Sequence, residues 1–302
     1  MISSLLSRIG LHSMEQVLEA RVATLGPMET SVDGGAGWGG TSQSLAEATQ
    51  KDGRVHAFEP FPGNHRFFSN ADPRIQLHRV ALSDNVGRMA FYVSGTVGEE
   101  DAWATRGFVG YSSLGHLVSP RVKWVRAIKR VIARLRGQRQ REPVVLQVDT
   151  TRLDSVVGEA HLDFVKLDLQ GGEPAAIRGM GALLQRTDML WIEFTGQEGL
   201  IPMLLEHGFL LFDTNYMCPA GGRGQLEHFD LRPFKEIVLS TSRPALLATR
   251  ARDTADFLAW FHDAKKAGAI MQTDLLAINP AFLPSFLLML QEISVAPSAL
   301  LD

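Results

Sequence analysis

The chain has 302 residues and a mass of 33.2 kDa, and 45% of its residues are apolar. This composition supplies enough material for a large buried core, so disorder over most of the chain is excluded. The formal net charge of −3 provides no general attraction to nucleic acid or to anionic lipid.

The two ends of the chain predict neither export nor membrane insertion. Residues 1–29 read as an amphipathic helical lead-in without the pattern of a signal peptide. The apolar run FLPSFLLML is far shorter than the roughly 20 residues that a membrane span needs. Cys218 is the single cysteine, which excludes an intrachain disulfide and suits a reducing compartment. We therefore expect a soluble, cytoplasmic protein.

Strands and helices alternate from Thr30 onward. A strand at 30–33 runs through the glycine turn GGAGWGG into a helix at 41–50. Further strands are predicted at 54–59, 75–82, 89–93, 144–149, 162–168, 189–195 and 209–213, and further helices at 63–70, 173–184 and 200–207. This alternation predicts an α/β fold, with a mostly parallel sheet and helices on both faces.

The remaining segments complete the predicted domain organisation. A glycine-rich loop and a basic stretch form an insertion at 94–142, within a domain spanning 30–245. Strands at 225–231 and 236–240 are expected to pair antiparallel at a sheet edge. Mostly helices are expected beyond Arg243, so residues 246–302 are predicted to form a C-terminal helical appendage.

The glycine turn predicts a site for an anionic group, because its backbone N–H groups meet the start of a helix. Glu59 closes the next strand, where its carboxylate can accept from two ribose hydroxyls. Gly35-x-Gly37-x-x-Gly40 also matches the dinucleotide fingerprint, so NAD stays open as a ligand. Asp33, directly before the loop, favours a cationic amino group and hence S-adenosylmethionine. A tight turn beside a solvated glutamate is the alternative to any ligand site.

A longer set of motifs makes the sequence resemble a known family. VDGGAGWGGTS, HAFEP, VALSD, SSL, TTRLDSV, FVKLDLQGGEPAAIRG and LWIEF occur in the order found in the FkbM-type S-adenosylmethionine-dependent methyltransferases. The resemblance covers residues 30–213 and implies a class I, Rossmann-like methyltransferase fold. The glycine-richer first loop and the inserted stretch at 120–142 depart from the family pattern.

The resemblance also implies the cofactor-binding residues. Asp33, Gly35 and Gly39 match the motif that wraps the methionine part of the cofactor, with Gly37 in the same loop, and Glu59 matches the ribose-binding acid. Ser83 and Asp84 match the region that contacts adenine, and Ser42 is a candidate contact of the cofactor carboxylate. The implied activity is methyl transfer, and we expect the acceptor to be a hydroxyl of a sugar, glycan or other polyhydroxylated metabolite.

Three residues are candidates for the chemistry on the acceptor. Asp168 ends a strand at the carboxyl edge of the sheet, and Glu173 opens the following helix. His116, beside the SSL motif, is the histidine best placed to act as a base. The alternative role for Glu173 is a helix cap, and Glu193 in WIEF is expected to be buried and to orient its neighbours.

The histidines are not spaced as the ligands of a metal site, so we expect no bound metal and a methyltransferase activity that survives chelation. Lys166 alternates with Asp168 on one strand face, which suits a structural ion pair as well as catalysis.

A basic segment separates the two halves of the predicted domain. Residues 121–141 hold nine basic and no acidic residues, with apolar residues at helical spacing. Such a helix can lie on an anionic membrane, grip an anionic glycan or nucleic acid, or cover its own domain. No specific nucleic acid is expected as a partner. The rival functions are an NAD-dependent oxidoreductase and a non-catalytic protein that binds an anionic partner.

Overall fold

The structure, a computed structural model, describes residues 14–93, 113–114, 144–213, 258–259, 261 and 273–295. The predicted insertion therefore lies almost entirely outside the described residues. The same holds for His116, the basic segment 121–141 and the strands predicted at 225–231 and 236–240.

A seven-stranded sheet forms the centre of the fold. Its strands are β1 (Met28–Gly34), β2 (Thr49–Phe58), β3 (Ile75–His78), β8 (Leu162–Leu167), β9 (Thr187–Phe194), β10 (Leu210–Asp213) and β11 (Thr273–Ile278). Their spatial order is β10-β11-β9-β8-β1-β2-β3. The pairs β1–β2, β1–β8, β2–β3 and β8–β9 are parallel, and β11 is antiparallel to both neighbours. The predicted mostly parallel α/β architecture is confirmed.

Four shorter strands form a second sheet beside the first. They are β4 (Ala81–Leu82), β5 (Gly87–Val93), β6 (Ser113–Leu114) and β7 (Val144–Thr151), in the order β4-β7-β5-β6. The strand predicted at 75–82 is thus broken at Arg79 and Val80. Its first part joins the central sheet and its last part pairs with β7.

Helices cover both faces of the central sheet. They are α1 (Met14–Leu25), α2 (Gly40–Glu47), α3 (Leu153–Val157), α4 (Glu173–Met180), α5 (Leu200–Glu206) and α6 (Leu283–Val295). One buried apolar cluster joins α1, α2 and α6 to the sheet through residues such as Val17, Leu45 and Phe286. A second joins α3, α4 and α5 through Leu153, Ile177 and Leu204. These two clusters are the layers on either side of the sheet.

Two predicted helices are shorter or tighter than expected. The helix predicted at 173–184 ends at Met180, because Gly181 takes a φ of 53°, and a 3-10 turn follows over Gly181–Arg186. The helix predicted at 63–70 is a 3-10 segment over Pro62–Phe68.

The C-terminal part corrects the expectation that residues 246–302 form a mostly helical appendage outside the sheet. Residues Thr273–Ile278 form β11 between β9 and β10, inside the sheet. The run TDLLAI has no period that separates a buried strand from a helix, which explains the wrong prediction. The helix α6 that follows packs on α1, so both ends of the described chain cover one face.

The amino-terminal edge of the sheet is fixed by one buried ion pair. Arg21 on α1 bonds Asp163 on β8 at 2.8 Å, and the other Asp163 oxygen accepts from the backbone N–H groups of Glu29 and Thr30.

Among the described helices, none combines the length and the apolar character that a membrane crossing requires.

Candidate active site at the carboxyl edge of the sheet

The carboxyl ends of neighbouring strands bring the candidate residues into one row. Gly34 of β1 is paired with Phe58 of β2 and with Leu167 of β8, and Leu167 with Ile192 of β9. The next residues on β1, β2, β8 and β9 are Gly35, Glu59, Asp168 and Glu193, respectively. Asp274 of β11 continues the row, since it pairs with Glu193. Because ligands of open α/β sheets bind at this edge, the row is the candidate active site.

The glycine loop begins in close contact with the strand beside it. Gly35 has a φ of 78°, and a Cβ at this position would lie 2.0 Å from the backbone oxygen of Asp168. The turn therefore requires glycine here for both conformation and space. The loop leads into α2, whose first turn has no side-chain cap, so its N–H groups suit an anionic ligand group.

Glu59 is held by the glycine loop from one side and by its own strand end from the other. One carboxylate oxygen accepts from the Gly37 N–H and the other from the Phe61 N–H, both at 2.7 Å. Burial raises the pKa of Glu59 to about 7, against the opposing effect of these hydrogen bonds. The Asn64 side chain supplies a third hydrogen bond, and the roughly four acceptor sites of a carboxylate leave room for a ligand hydroxyl.

Asp33 and Ser42 are buried behind the loop. Ser42 Oγ donates to Asp33 Oδ2 at 2.6 Å, and Lys166 Nζ lies 3.6 Å from Asp33 Oδ1. Asp33 Oδ1 accepts no hydrogen bond from any described residue. The structure brings both residues to the predicted site, where they support the loop from within and leave one carboxylate oxygen for a further donor.

Lys166 is the cation at the centre of the row. Its Nζ also lies 3.5 Å from Asp168 Oδ2, as the predicted alternation of Lys166 with Asp168 requires. Although burial disfavours its charge, Asp168, Asp33 and Glu193 raise the pKa of Lys166 above its usual value. The lysine is therefore a fixed positive charge that partly neutralises the acids around it.

Asp168 and Glu193 are joined by a glutamine that sequence reasoning passed over. The Gln170 side-chain nitrogen donates to Asp168 Oδ1 at 2.7 Å and to the two Glu193 oxygens at 3.0 and 2.9 Å. Asp168 is 39% exposed at its side chain, whereas Glu193 is buried. Burial raises the pKa of Glu193 to about 9, with added repulsion from Asp168, Glu173 and Asp274. The sequence feature that could have identified Gln170 as a site residue is its position between Asp168 and two glycines.

Glu173 is completely buried beneath Asp168, Gln170 and Glu193, and it closes the turn before α4. One of its oxygens accepts from the backbone N–H groups of Leu169 and Gly171, at 2.7 and 3.2 Å. The other accepts from Gln197 Nε2 at 2.7 Å. Burial raises the pKa of Glu173 to about 7. This geometry favours the structural role that the sequence left open for Glu173.

Ser83 and Asp84 follow β4 and are tied to the neighbouring helix. Arg178 on α4 bonds Asp84 Oδ2 through two nitrogens, each at 2.8 Å. This partner lowers the pKa of Asp84, against the opposing effect of its burial. Ser83 is buried and its N–H donates to Thr151. The structure gives both residues an anchoring role, and their predicted contact with adenine stays a prediction.

Within the described ranges, one group of side chains has the spacing of a metal site. It comprises His161, Asp163 and Asp188 at the opposite, amino-terminal edge of the sheet. Because both Asp163 oxygens are engaged by Arg21 and backbone N–H groups, this group is explained by structural contacts.

Comparison with known proteins gives three kinds of similarity. The profile of the methyltransferase FkbM domain matches residues 33–213. The chain is 30% identical over 159 residues to the 2-O-methyltransferase NoeI of Sinorhizobium fredii, covering 50% of this chain and 58% of that relative. The chain thus spans little more than half the length of that relative.

Two solved structures were also matched. Methyltransferase FkbM from Methylobacillus flagellatus is 18% identical, with a TM-score of 0.32 over 55% of this chain and 32% of that one. Precorrin-6y C5,15-methyltransferase from Geobacter metallireducens is 10% identical, with a TM-score of 0.36 over 87% and 86% of the two chains.

Proposed function

Because the chain belongs to the FkbM methyltransferase family, we propose that it transfers the methyl group of S-adenosylmethionine to a hydroxyl oxygen of a sugar, glycan or other polyhydroxylated metabolite. The observation that carries this proposal is that the buried Glu59 carboxylate is held against the glycine loop by the Gly37 N–H and keeps acceptor capacity for a ligand hydroxyl.

The residues at this edge fit S-adenosylmethionine in three ways. Glu59 suits a ribose hydroxyl, and the uncapped N-terminus of α2 suits the cofactor carboxylate. Asp33 Oδ1, which is buried beside Lys166 and accepts no hydrogen bond from the described residues, suits a cationic amino group. When bound, S-adenosylmethionine supplies an electrophilic methyl group, and methylation of a hydroxyl releases one proton.

The sheet order weakens the case for NAD. The dinucleotide-binding sheet is mostly parallel, with the usual strand order 3-2-1-4-5-6. Here the antiparallel β11 lies between β9 and β10. The fingerprint glycines are present, but the sheet differs from the dinucleotide-binding order at the edge formed by β9, β11 and β10.

A hydroxyl acceptor is supported by the rim and by the relative. Asp168 is the partly exposed carboxylate beside the glycine loop, and a carboxylate can accept the proton of a bound hydroxyl. The relative NoeI is named as a 2-O-methyltransferase, which is consistent with transfer to oxygen.

The direct test is an acceptor screen with the full chain. Protein is incubated with S-adenosylmethionine carrying a radiolabelled methyl group and with neutral methyl glycosides, inositols and amino sugars, and products are analysed by mass spectrometry. We expect label on a hydroxyl oxygen and a mass gain of one CH2 group. Label on nitrogen or carbon, or no transfer to any member of the screen, would overturn the proposal.

A further inference from the structure

Two carboxyl groups at the rim share one amide donor. The side chain of Gln170 has two N–H groups, yet its nitrogen lies within 3.0 Å of three oxygens, one of Asp168 and two of Glu193. Asp168 and Glu193 are therefore held side by side at the ends of adjacent strands. Register explains this proximity, because Leu167 and Ile192 directly precede them as a pair.

The backbone of Gln170 is constrained to make this contact. Among the described residues other than glycine, only Gln170 has a positive φ, at 54°. This conformation is disfavoured for a residue with a Cβ. Residues in such conformations cluster at functional sites, because the surrounding contacts must hold them there.

The charges around the pair do not allow both acids to be ionised at little cost. Glu193 is faced by Asp168, by Glu173 from α4 and by Asp274 from β11, and Lys166 is the cation nearest to Asp168. Glu193 has almost no contact with solvent, whereas Asp168 is partly exposed. Burial and these neighbouring carboxyls therefore keep the proton on Glu193, next to the partly exposed Asp168.

We infer that Glu193 is a positioning residue of the proposed reaction: it remains protonated, donates its proton to Asp168 and, with Gln170, fixes Asp168 as the acceptor of the hydroxyl proton. This inference rests on the proposed function for the identity of the acceptor. The hydrogen bond from protonated Glu193 to Asp168 is inferred from the structure alone and does not depend on the proposed function.

The proton balance is simple. Methylation of one hydroxyl releases one proton, which passes to the ionised Asp168 carboxylate. The proton of Glu193 is not consumed, because it only hydrogen-bonds to Asp168. Asp168 then loses the added proton to solvent through its exposed side. The high pKa of Glu193, about 9, keeps the donor in place at neutral pH.

The shared proton is tested without any acceptor. Protein labelled with carbon-13 at glutamate side-chain carboxyls is titrated by NMR, and the Glu193 resonance is identified by its loss in Glu193→Gln. We expect a midpoint near 9 in the wild type. In Asp168→Asn the midpoint should fall by at least about one pH unit, because the neighbouring negative charge is removed and a neutral amide oxygen is a weaker acceptor than a carboxylate. A midpoint that does not move in Asp168→Asn would overturn the inference.

The positioning role is tested with an acceptor from the screen. Glu193→Ala should lower kcat at least about tenfold, since Asp168 keeps Gln170 but loses its second donor. The wild type is expected to lose activity above about pH 9, as Glu193 gives up its proton. Glu193→Gln should recover most of the alanine variant's loss, because its amide still donates, and should lack this alkaline fall in kcat. Glu198→Gln, an exposed acid close in sequence, is the matched control and should keep the wild-type pH profile.

Equal rates for Glu193→Ala and Glu193→Gln, or an unchanged alkaline fall in Glu193→Gln, would contradict the positioning role. Absence of methyl transfer in the wild type would instead count against the proposed function. The NMR titration then still decides whether Asp168 and Glu193 share a proton.

Discussion

Three buried glutamates at the carboxyl edge differ in what their oxygens contact. Glu59 accepts one backbone N–H on each oxygen and keeps capacity for a ligand. Glu173 receives three donors from its own turn and from Gln197, and Glu193 is bound to Gln170 beside Asp168. One residue type thus suits ligand binding, loop support and proton sharing, according to its partners.

Replacement of Glu173 separates loop support from catalysis. In Glu173→Gln the new amide nitrogen faces the Gln197 nitrogen, so two donors oppose each other in a buried site. An unsatisfied buried donor costs about 1–3 kcal/mol, and we expect the melting temperature to fall by several degrees. Cofactor affinity should persist. Calorimetric melting checks the first expectation. An unchanged melting temperature with a rate about 10²–10⁴-fold lower would instead make Glu173 the general base.

At the residue scale, the sequence predicts which acids reach the site but not what each one contacts. Asp33, Glu59, Asp168 and Glu193 end strands, so their place at one edge follows from the alternation of elements. The partnership of Gln170 with two carboxyls depends on strand register and on a positive φ, neither of which a sequence pattern specifies.

At the scale of elements, the strand β11 is the clearest departure from expectation. Its residues were expected to be helical, yet Leu275, Leu276, Ala277 and Ile278 are fully buried between β9 and β10. Strands followed by regular turns and helices, such as β1, β2 and β8, were predicted to within a few residues. β11 pairs with strands far away in sequence, and no local pattern reports such pairing.

A pair of leucine substitutions tests the place of β11. Leu276 is buried within the strand, whereas Leu288 on α6 is 50% exposed. Leu276→Ala should reduce the free energy of unfolding by about 2–5 kcal/mol, because it leaves a cavity in the core. Leu288→Ala should change it by no more than about 0.5 kcal/mol. Denaturant unfolding measures both values. Equal small effects would show that Thr273–Ile278 lies outside the core.

At the scale of the whole molecule, distant parts of the chain converge to support one edge. The helices α1 and α6 cover one face together, and the acids at the carboxyl ends of β2, β8 and β9 meet at the rim. The order of motifs along the chain predicted the family and the parallel core. The return of the C-terminal part into the sheet became apparent only in three dimensions.

The central claim is that this edge binds S-adenosylmethionine through Glu59. Its most direct test is calorimetric titration with S-adenosylhomocysteine and with NAD, at pH 6 and pH 8. With a pKa of about 7, Glu59 is mostly protonated at pH 6 and mostly ionised at pH 8, and the ionised form is the stronger acceptor for a ribose hydroxyl. Affinity for S-adenosylhomocysteine should therefore rise with pH.

Glu59→Ala should weaken binding at pH 8 at least about tenfold, since hydrogen bonds to a charged group contribute about 1.5–3 kcal/mol each. It should also remove the dependence on pH. The account predicts binding of S-adenosylhomocysteine and none of NAD. Binding of NAD without S-adenosylhomocysteine, or wild-type affinity for S-adenosylhomocysteine in Glu59→Ala, would contradict it.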